Sequence, residues 1–333
     1  GSSDELFMVM GMGQYPNLAV QDAFAVVRRG RTHRVVRASR ELGDRLDTTV
    51  GPFRVEVTRP LHEVRFVLEP NEHGVAADLR WQGAVPAFEE PRQYVRKHGR
   101  VLFDTMRFAQ TGRWSGTLTI GDETFEVTPD RWWGTRDRSW GVRPVGEPEH
   151  PGIRQGELPL DGLWNYAPMQ FEDFSILYIV NERDSGERPL EEAVLLPADP
   201  EKEPVWLGRP EFEHVLRKGT RLVERSTLRF PEAPGGAIDV AVTPLLEMYV
   251  GVGTGYGFDP DWRHGMYQGP LVVQGLALDM EEDRDRMVGL VDTCARFELT
   301  GPSGAATGYG LHEYFFLGPF RKYGLRDFAD GAP

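Results

Sequence analysis

A single cysteine, Cys294, stands among 333 residues. No internal disulfide can form, and a structural zinc–thiolate site is excluded. No apolar run is long enough to span a bilayer, no charged-then-apolar leader opens the chain, and Asn-x-Ser/Thr does not occur. These absences make cytoplasmic residence, without stable membrane insertion, the simplest expectation. Positive charge is also scarce. Against 51 Asp and Glu there are 38 Lys and Arg, a formal net charge of −13. Phosphate binding depends on clustered cations, so nucleic acid is disfavoured as a partner, and so is an anionic membrane surface. The run Arg28, Arg29, Arg31, Arg34, Arg37 and Arg40 is the exception. Its spacing predicts the solvated face of a strand pair.

Familiar catalytic signatures are missing as well. Neither HExxH, Walker A nor GxSxG occurs. His33, His62, His73, His98, His150 and His214 are scattered without ligand spacing, so neither a metal nor any other cofactor is expected. Gly251, Gly253, Gly255 and Gly257 superficially suggest a dinucleotide loop, but strand-like residues precede them and Pro260 follows. They read as a glycine-rich turn.

What the chain does contain is turn formers and alternation. Glycine (38) and proline (25) punctuate many short period-two segments, and 11% of the residues are aromatic. Clean alternation runs through Phe53–Thr58 and Glu63–Leu68. Further strands are expected at Ala77–Trp81, Val101–Phe108, Trp114–Ile120, Thr124–Thr128, Phe174–Val180, Ala193–Leu196, Phe212–Leu216 and Leu222–Phe230. The series closes with Ala237–Val242, Leu245–Val250, Leu271–Leu278 and Gly310–Leu317. Helical period is scarce: Pro91–Lys97 could form two turns, and Arg284–Ala295 is the best longer candidate. The stretch 142–161 concentrates proline and glycine and is read as a crossover. The expectation is an all-β chain of two antiparallel barrel or sandwich domains, 1–155 and 156–333, with few short helices. Each holds about seven or eight strands, the number that closes a small barrel around one ligand.

The densest segment is 129–143. Alternation there puts Trp133, Thr135, Asp137 and Ser139 on one face and Trp132, Arg136, Arg138 and Trp140 on the other. Pleating thus turns both neighbouring guanidinium groups away from Asp137. An apolar face would keep a proton on its carboxyl group, as general-acid catalysis on an apolar substrate requires. The alternative is an Asp–Arg ion pair plugging a barrel end. Trp164, Tyr166 and Phe171 are candidates to line a pocket, and Asn165 could position water or cap a turn. In the second half, His264 could be a base or a structural hydrogen-bonder. Glu313, amid Tyr314, Phe315 and Phe316, is a second catalytic candidate, or an ion-pair partner of Arg154 or Arg263.

Gly-Thr-Arg-Asp-Arg-Ser-Trp-Gly, 134–141, resembles the Gly-x-x-Asp-His-x-Trp-Gly signature of the carotenoid 1,2-hydratase (hydroxyneurosporene synthase) family and its actinobacterial relatives. The strand order, the crossover after the motif and a second half ending in Gly308–Tyr314 extend the likeness loosely over most of the chain. Arg136 and Arg138 replace the flanking histidines, and Thr135 stands two places before the Asp where the family has an aromatic. The resemblance implies two lipocalin-like domains without metal or redox cofactor. It further implies that Asp137 protonates an isoprenoid double bond and that water captures the cation. Trp133, Trp140, Trp164 and Tyr166 would line the substrate pocket, with Asn165, His264 or Glu313 orienting water. The expected activity is thus a cofactor-independent hydratase or dehydratase acting on a small apolar isoprenoid-like alkene, as a monomer or homodimer. The alternatives are an isomerase or cyclase on the same scaffold, or a non-catalytic lipid carrier.

Overall fold

The computed structural model describes residues 5–97, 99–143 and 162–333. Almost every element is an antiparallel strand, and the sheets curl as lipocalin-like half-barrels. The first sheet contains Leu6–Tyr15, Val20–Arg29 and Thr32–Glu41 in order, then Leu271–Asp279 from far along the chain. The second is organised around one strand of 21 residues, Arg100–Ile120, which pairs with Glu123–Val127, Val75–Gly83 and Trp133–Val142. The third runs from Val205–Trp206 through Leu190–Pro197, Phe174–Glu182, Gly162–Gln170, Gly304–Leu317, Val291–Gly301, Ile238–Tyr249 and Val223–Phe230 to Glu211–Leu216.

Burial follows alternation where only one face is covered. Val75–Gly83 reads buried at Val75, Ala77, Leu79 and Trp81 and exposed at Asp78, Arg80 and Gln82. Its inward residues join Val36, Ala38, Phe53, Phe66, Leu68 and Leu118 between the first two sheets. A second core fills the third sheet around Met169, Tyr178, Phe230, Phe297 and Phe316. A third, with Val85, Ala109, Tyr166, Leu177, Ile179 and Val194, joins the second sheet to the outside of the third.

Several sequence expectations are corrected. Pro91–Lys97 is not helical: Gln93–Lys97 is a strand paired with Arg100–Thr105. Arg284–Ala295 contains only a 3₁₀ turn at Arg284–Arg286, after which Val291–Gly301 is a strand. Val101–Phe108 and Trp114–Ile120 are one continuous strand. Gly112 permits this, since a Cβ there would lie 2.5 Å from the Trp81 ring. Ala237–Val242 and Leu245–Val250 also merge, with the register shift falling between Pro244 and Leu246, where a residue lacking an N–H is tolerated. The arginine run does not form a uniformly solvated face. Arg37 is 3% exposed, lies 4.4 Å over the Trp262 ring, and donates to Gly253 O at 3.1 Å and Gln274 Oε1 at 2.8 Å. Most of the crossover, residues 144–161, lies outside the described residues, as do His98, His150 and Arg154. The strands before and after it occupy different sheets, apart from Leu271–Asp279, which is added to the first.

Candidate active site in the seam between the sheets

Strand register brings charge together in an otherwise apolar seam. Tyr166 lies opposite Glu313, and Glu313 opposite Asp292, so the three side chains form a row across adjacent strands. Trp164, two residues before Tyr166, shares their face and donates its indole N–H to Glu313 Oε1 at 2.5 Å. From the facing sheet comes Arg107, whose guanidinium lies 4.6 Å over the Tyr166 ring and 5.3 Å over Trp164. Its Nε and Nη2 both reach Glu90 Oε2 at 2.5 Å.

The carboxyl groups are the chemically informative part. Asp292 is 3% exposed and Glu313 half-buried. Burial pushes Asp292 well above the usual carboxylate range, and the charge of Glu313 adds to the shift. Burial also raises Glu313, but the Trp164 N–H, Arg107 and a hydrogen bond from Asp292 favour its charged form. Asp292 Oδ1 is enclosed and finds no N–H or O–H donor. Burial thus favours a proton on this pair, on Asp292 more than on Glu313. Burial likewise raises Glu90, opposed by Arg107. Burial alone would lower Arg107, but Glu90, Tyr166, Asp137 and Glu313 raise it instead. Cys294 supplies no nucleophile, since burial pushes its thiol up to about 12.

The predicted residues fall into three groups. Glu313, Trp164 and Tyr166 form the cluster. Asp137 stands opposite Ala109 on Trp133–Val142, close enough for its charge to raise Glu313 and Asp292, but it is exposed rather than buried. Trp133 is four residues away on the same face, roughly 13 Å along the strand, edge-to-face with Tyr309 at 5.9 Å. Arg113 lies over its ring at 4.9 Å. The others lie elsewhere. Asn165 points to the opposite side of its strand, fully buried, bonding Tyr178 Oη at 2.8 Å, His214 Nε2 at 3.1 Å and His312 Nε2 at 3.0 Å. Phe171 stacks on Phe174 at 4.7 Å inside the third sheet. Trp140 is 42% exposed beside Phe108. His264 lies against Asp22, 3.6 Å from Nδ1 to Oδ1, in a box of Tyr15, Phe24 and Tyr256. Concavities of about 190 Å³ beside Arg29 and Arg34, and of about 250 Å³ beside Arg188 and Lys322, are open surface features away from these residues.

A sequence profile built for a family of unknown function, DUF8625, matches residues 2–326. The chain belongs to that family. No curated protein matches it. Among solved structures, kievitone hydratase from Nectria haematococca superimposes with a TM-score of 0.50 at 13% identity, over 95% of this chain and 91% of that one. A candidate AttH from Nitrosomonas europaea gives 0.51 at 12% identity, over 93% and 91%. At these identities the likeness establishes a shared all-β fold.

For this DUF8625 member, sequence reading missed Asp292, Glu90 and Arg107. Asp292 sat in a segment read as helical, where its alignment with Glu313 could not be seen. Arg107 could have been suspected as a cation within an apolar alternating run. Glu90, after a two-residue strand, gave no signal. Among the described residues no three His, Cys, Asp or Glu side chains are grouped to hold a metal ion.

Proposed function

We propose that this chain is a hydratase-type lyase that adds water to, or removes it from, a C=C bond of an apolar, isoprenoid-like substrate by acid–base chemistry. The observation that carries this reading is the Asp292–Glu313 carboxyl pair, side by side on adjacent strands and next to the Trp164 and Tyr166 rings. In the hydration direction the proton held on Asp292 passes to Glu313 and from there to one alkene carbon. The π electrons form the C–H bond and leave a carbocation on the other carbon. The faces of Trp164 and Tyr166 stabilise it by cation–π attraction, about 2 kcal/mol when desolvated. Water attacks the cation and loses a proton to Asp137, which the sequence had suggested as the donor and which now takes the part of base. Arg107, held by Glu90, offsets the carboxylate charges left on Asp292 and Glu313 until the pair regains a proton from solvent, to which exposed Asp137 releases the one it took. The neighbour named as a hydratase of kievitone supports the reaction class at the level of fold, and the 134–141 motif supports it at the level of sequence.

The test uses heavy-oxygen water with a panel of kievitone and acyclic isoprenoid alkenes. The alcohol product is expected to carry the solvent oxygen. Glu313→Gln and Asp292→Asn should each lower turnover by at least ~10²-fold, the lower end for a positioned acid. A product without solvent oxygen moves the assignment to isomerase or cyclase. Binding of the panel without any turnover moves it to a carrier.

A further inference from the structure

The strands that bring Arg107 and Asp137 to the seam have an opposite face. In Gln93–Lys97, Arg100–Thr105 and Arg138–Val142 the register aligns Tyr94 and Val142 with Asp104, Trp140 with Met106, and Arg96 with Val101. These side chains share one face of a three-stranded ribbon. Its apolar members are unusually open: Tyr94 is 49% exposed, Val101 40%, Trp140 42% and Val142 53%. Among the described residues, Arg92 over Tyr94 and Phe108 beside Trp140 leave these groups largely open, although burial of such groups is favourable. The charge around them runs opposite to that of the molecule. On this face Arg92, Arg96 and Arg138 stand with a single acid, Asp104, in a chain of net charge −13. Arg92 is neutralised by Asp104 at 2.6 and 2.7 Å and lies 5.1 Å over Tyr94, while Arg138 is exposed beside Trp140.

We propose that this ribbon face docks peripherally on an anionic lipid bilayer. Amphipathic Tyr and Trp rings settle at the headgroup level, and surrounding guanidinium groups are drawn to negative lipid. The net charge of the whole chain argues against such a partner only if charge is spread evenly, and here it is not. A second copy fits the face less well, because a two-fold contact through it would set the arginines of one copy against those of the other. Docking is surface-bound and salt-sensitive, distinct from insertion, and stands whether or not the seam is a hydratase site. It would hold the inner face of the same strands close to a reservoir of apolar molecules.

The experiment is co-sedimentation of the full chain with vesicles of 3:1 phosphatidylcholine–phosphatidylglycerol and with pure phosphatidylcholine vesicles, at low and high salt. Binding is expected to the anionic vesicles alone and to fall steeply with salt. The double variant Arg96→Glu/Arg138→Glu should weaken it at least about tenfold. Trp140→Ser/Val142→Ser should weaken it to a similar extent while leaving the circular dichroism unchanged. Absence of binding to the anionic vesicles overturns the proposal. So does binding that both double variants retain. Concentration-dependent dimerisation abolished by Trp140→Ser/Val142→Ser also overturns it and assigns the face to a second copy.

Discussion

Glu313 sits where a carboxyl group is costly to the fold. Its pKa and that of Asp292 are raised in the native state, so folded protein binds the shared proton more tightly than unfolded chain does. Stability from that proton is fully present below the ordinary carboxylate range and is lost as pH rises through the raised native values. An amide does not titrate. The melting temperature of Glu313→Gln relative to wild type should therefore climb as pH is raised from about 5 to 8, while turnover collapses, a trade of stability against activity. Equal shifts at both pH values would mean that the pair holds no proton. Trp164→Phe tests the neighbouring contact. It keeps an aromatic face but removes the 2.5 Å donor that favours charged Glu313, so the alkaline limb of the pH–rate profile, where the acid loses its proton, should move upward with little loss of substrate binding. An unshifted profile would remove Trp164 from any part in setting the acid.

At the scale of elements, legibility depended on how many faces of a strand are covered. Ala77–Trp81 was readable because one side meets solvent. Val20–Arg29 was not, since its first eight residues are all buried. One side of that sheet meets the Phe53 and Leu68 core and the other meets Met248 and Val250, which erases the alternation. The segment 250–270 is the stretch no period could place. Its turn and hairpin clasp the first sheet: His33 Nε2 lies 3.0 Å from Val252 O, the Gly265 N–H donates to Asp22 Oδ2 at 2.8 Å, and Arg37 stacks on Trp262. Trp262 is 2% exposed, so Trp262→Ala should cost about 3–5 kcal/mol in urea unfolding. A loss below about 1 kcal/mol would show that the clasp contributes little.

For the whole molecule, pH stability should be bounded on the acid side by two histidines that no proposed reaction uses. His214 and His312 converge on Asn165 inside the third sheet. Burial lowers His214 well below its ordinary value and takes His312 down to about 3. Native protein therefore holds them neutral. Their contribution is present above the unfolded value near 6.5 and is lost as pH falls toward 3. His312→Gln, which can still donate to Asn165, should flatten the decline of stability between about pH 6 and 4. A variant that declines as steeply as wild type would place the acid sensitivity elsewhere.

The sequence by itself determined the class of this protein. Turn residues at short intervals, period-two burial and the shortage of helical period follow from backbone geometry and hold whatever the partner strand. They sufficed for an all-β fold, and for picking out Glu313, Trp164 and Tyr166 as unusual neighbours of apolar rings. Tertiary structure alone decided which side of a strand meets the seam. A shift of one residue sends Asn165 into an interior network and Trp164 toward Glu313. It also decided that Asp292 would stand beside Glu313, and Arg107 over Tyr166, because sheet register joins residues that local sequence cannot relate. Charge in the seam follows from that register.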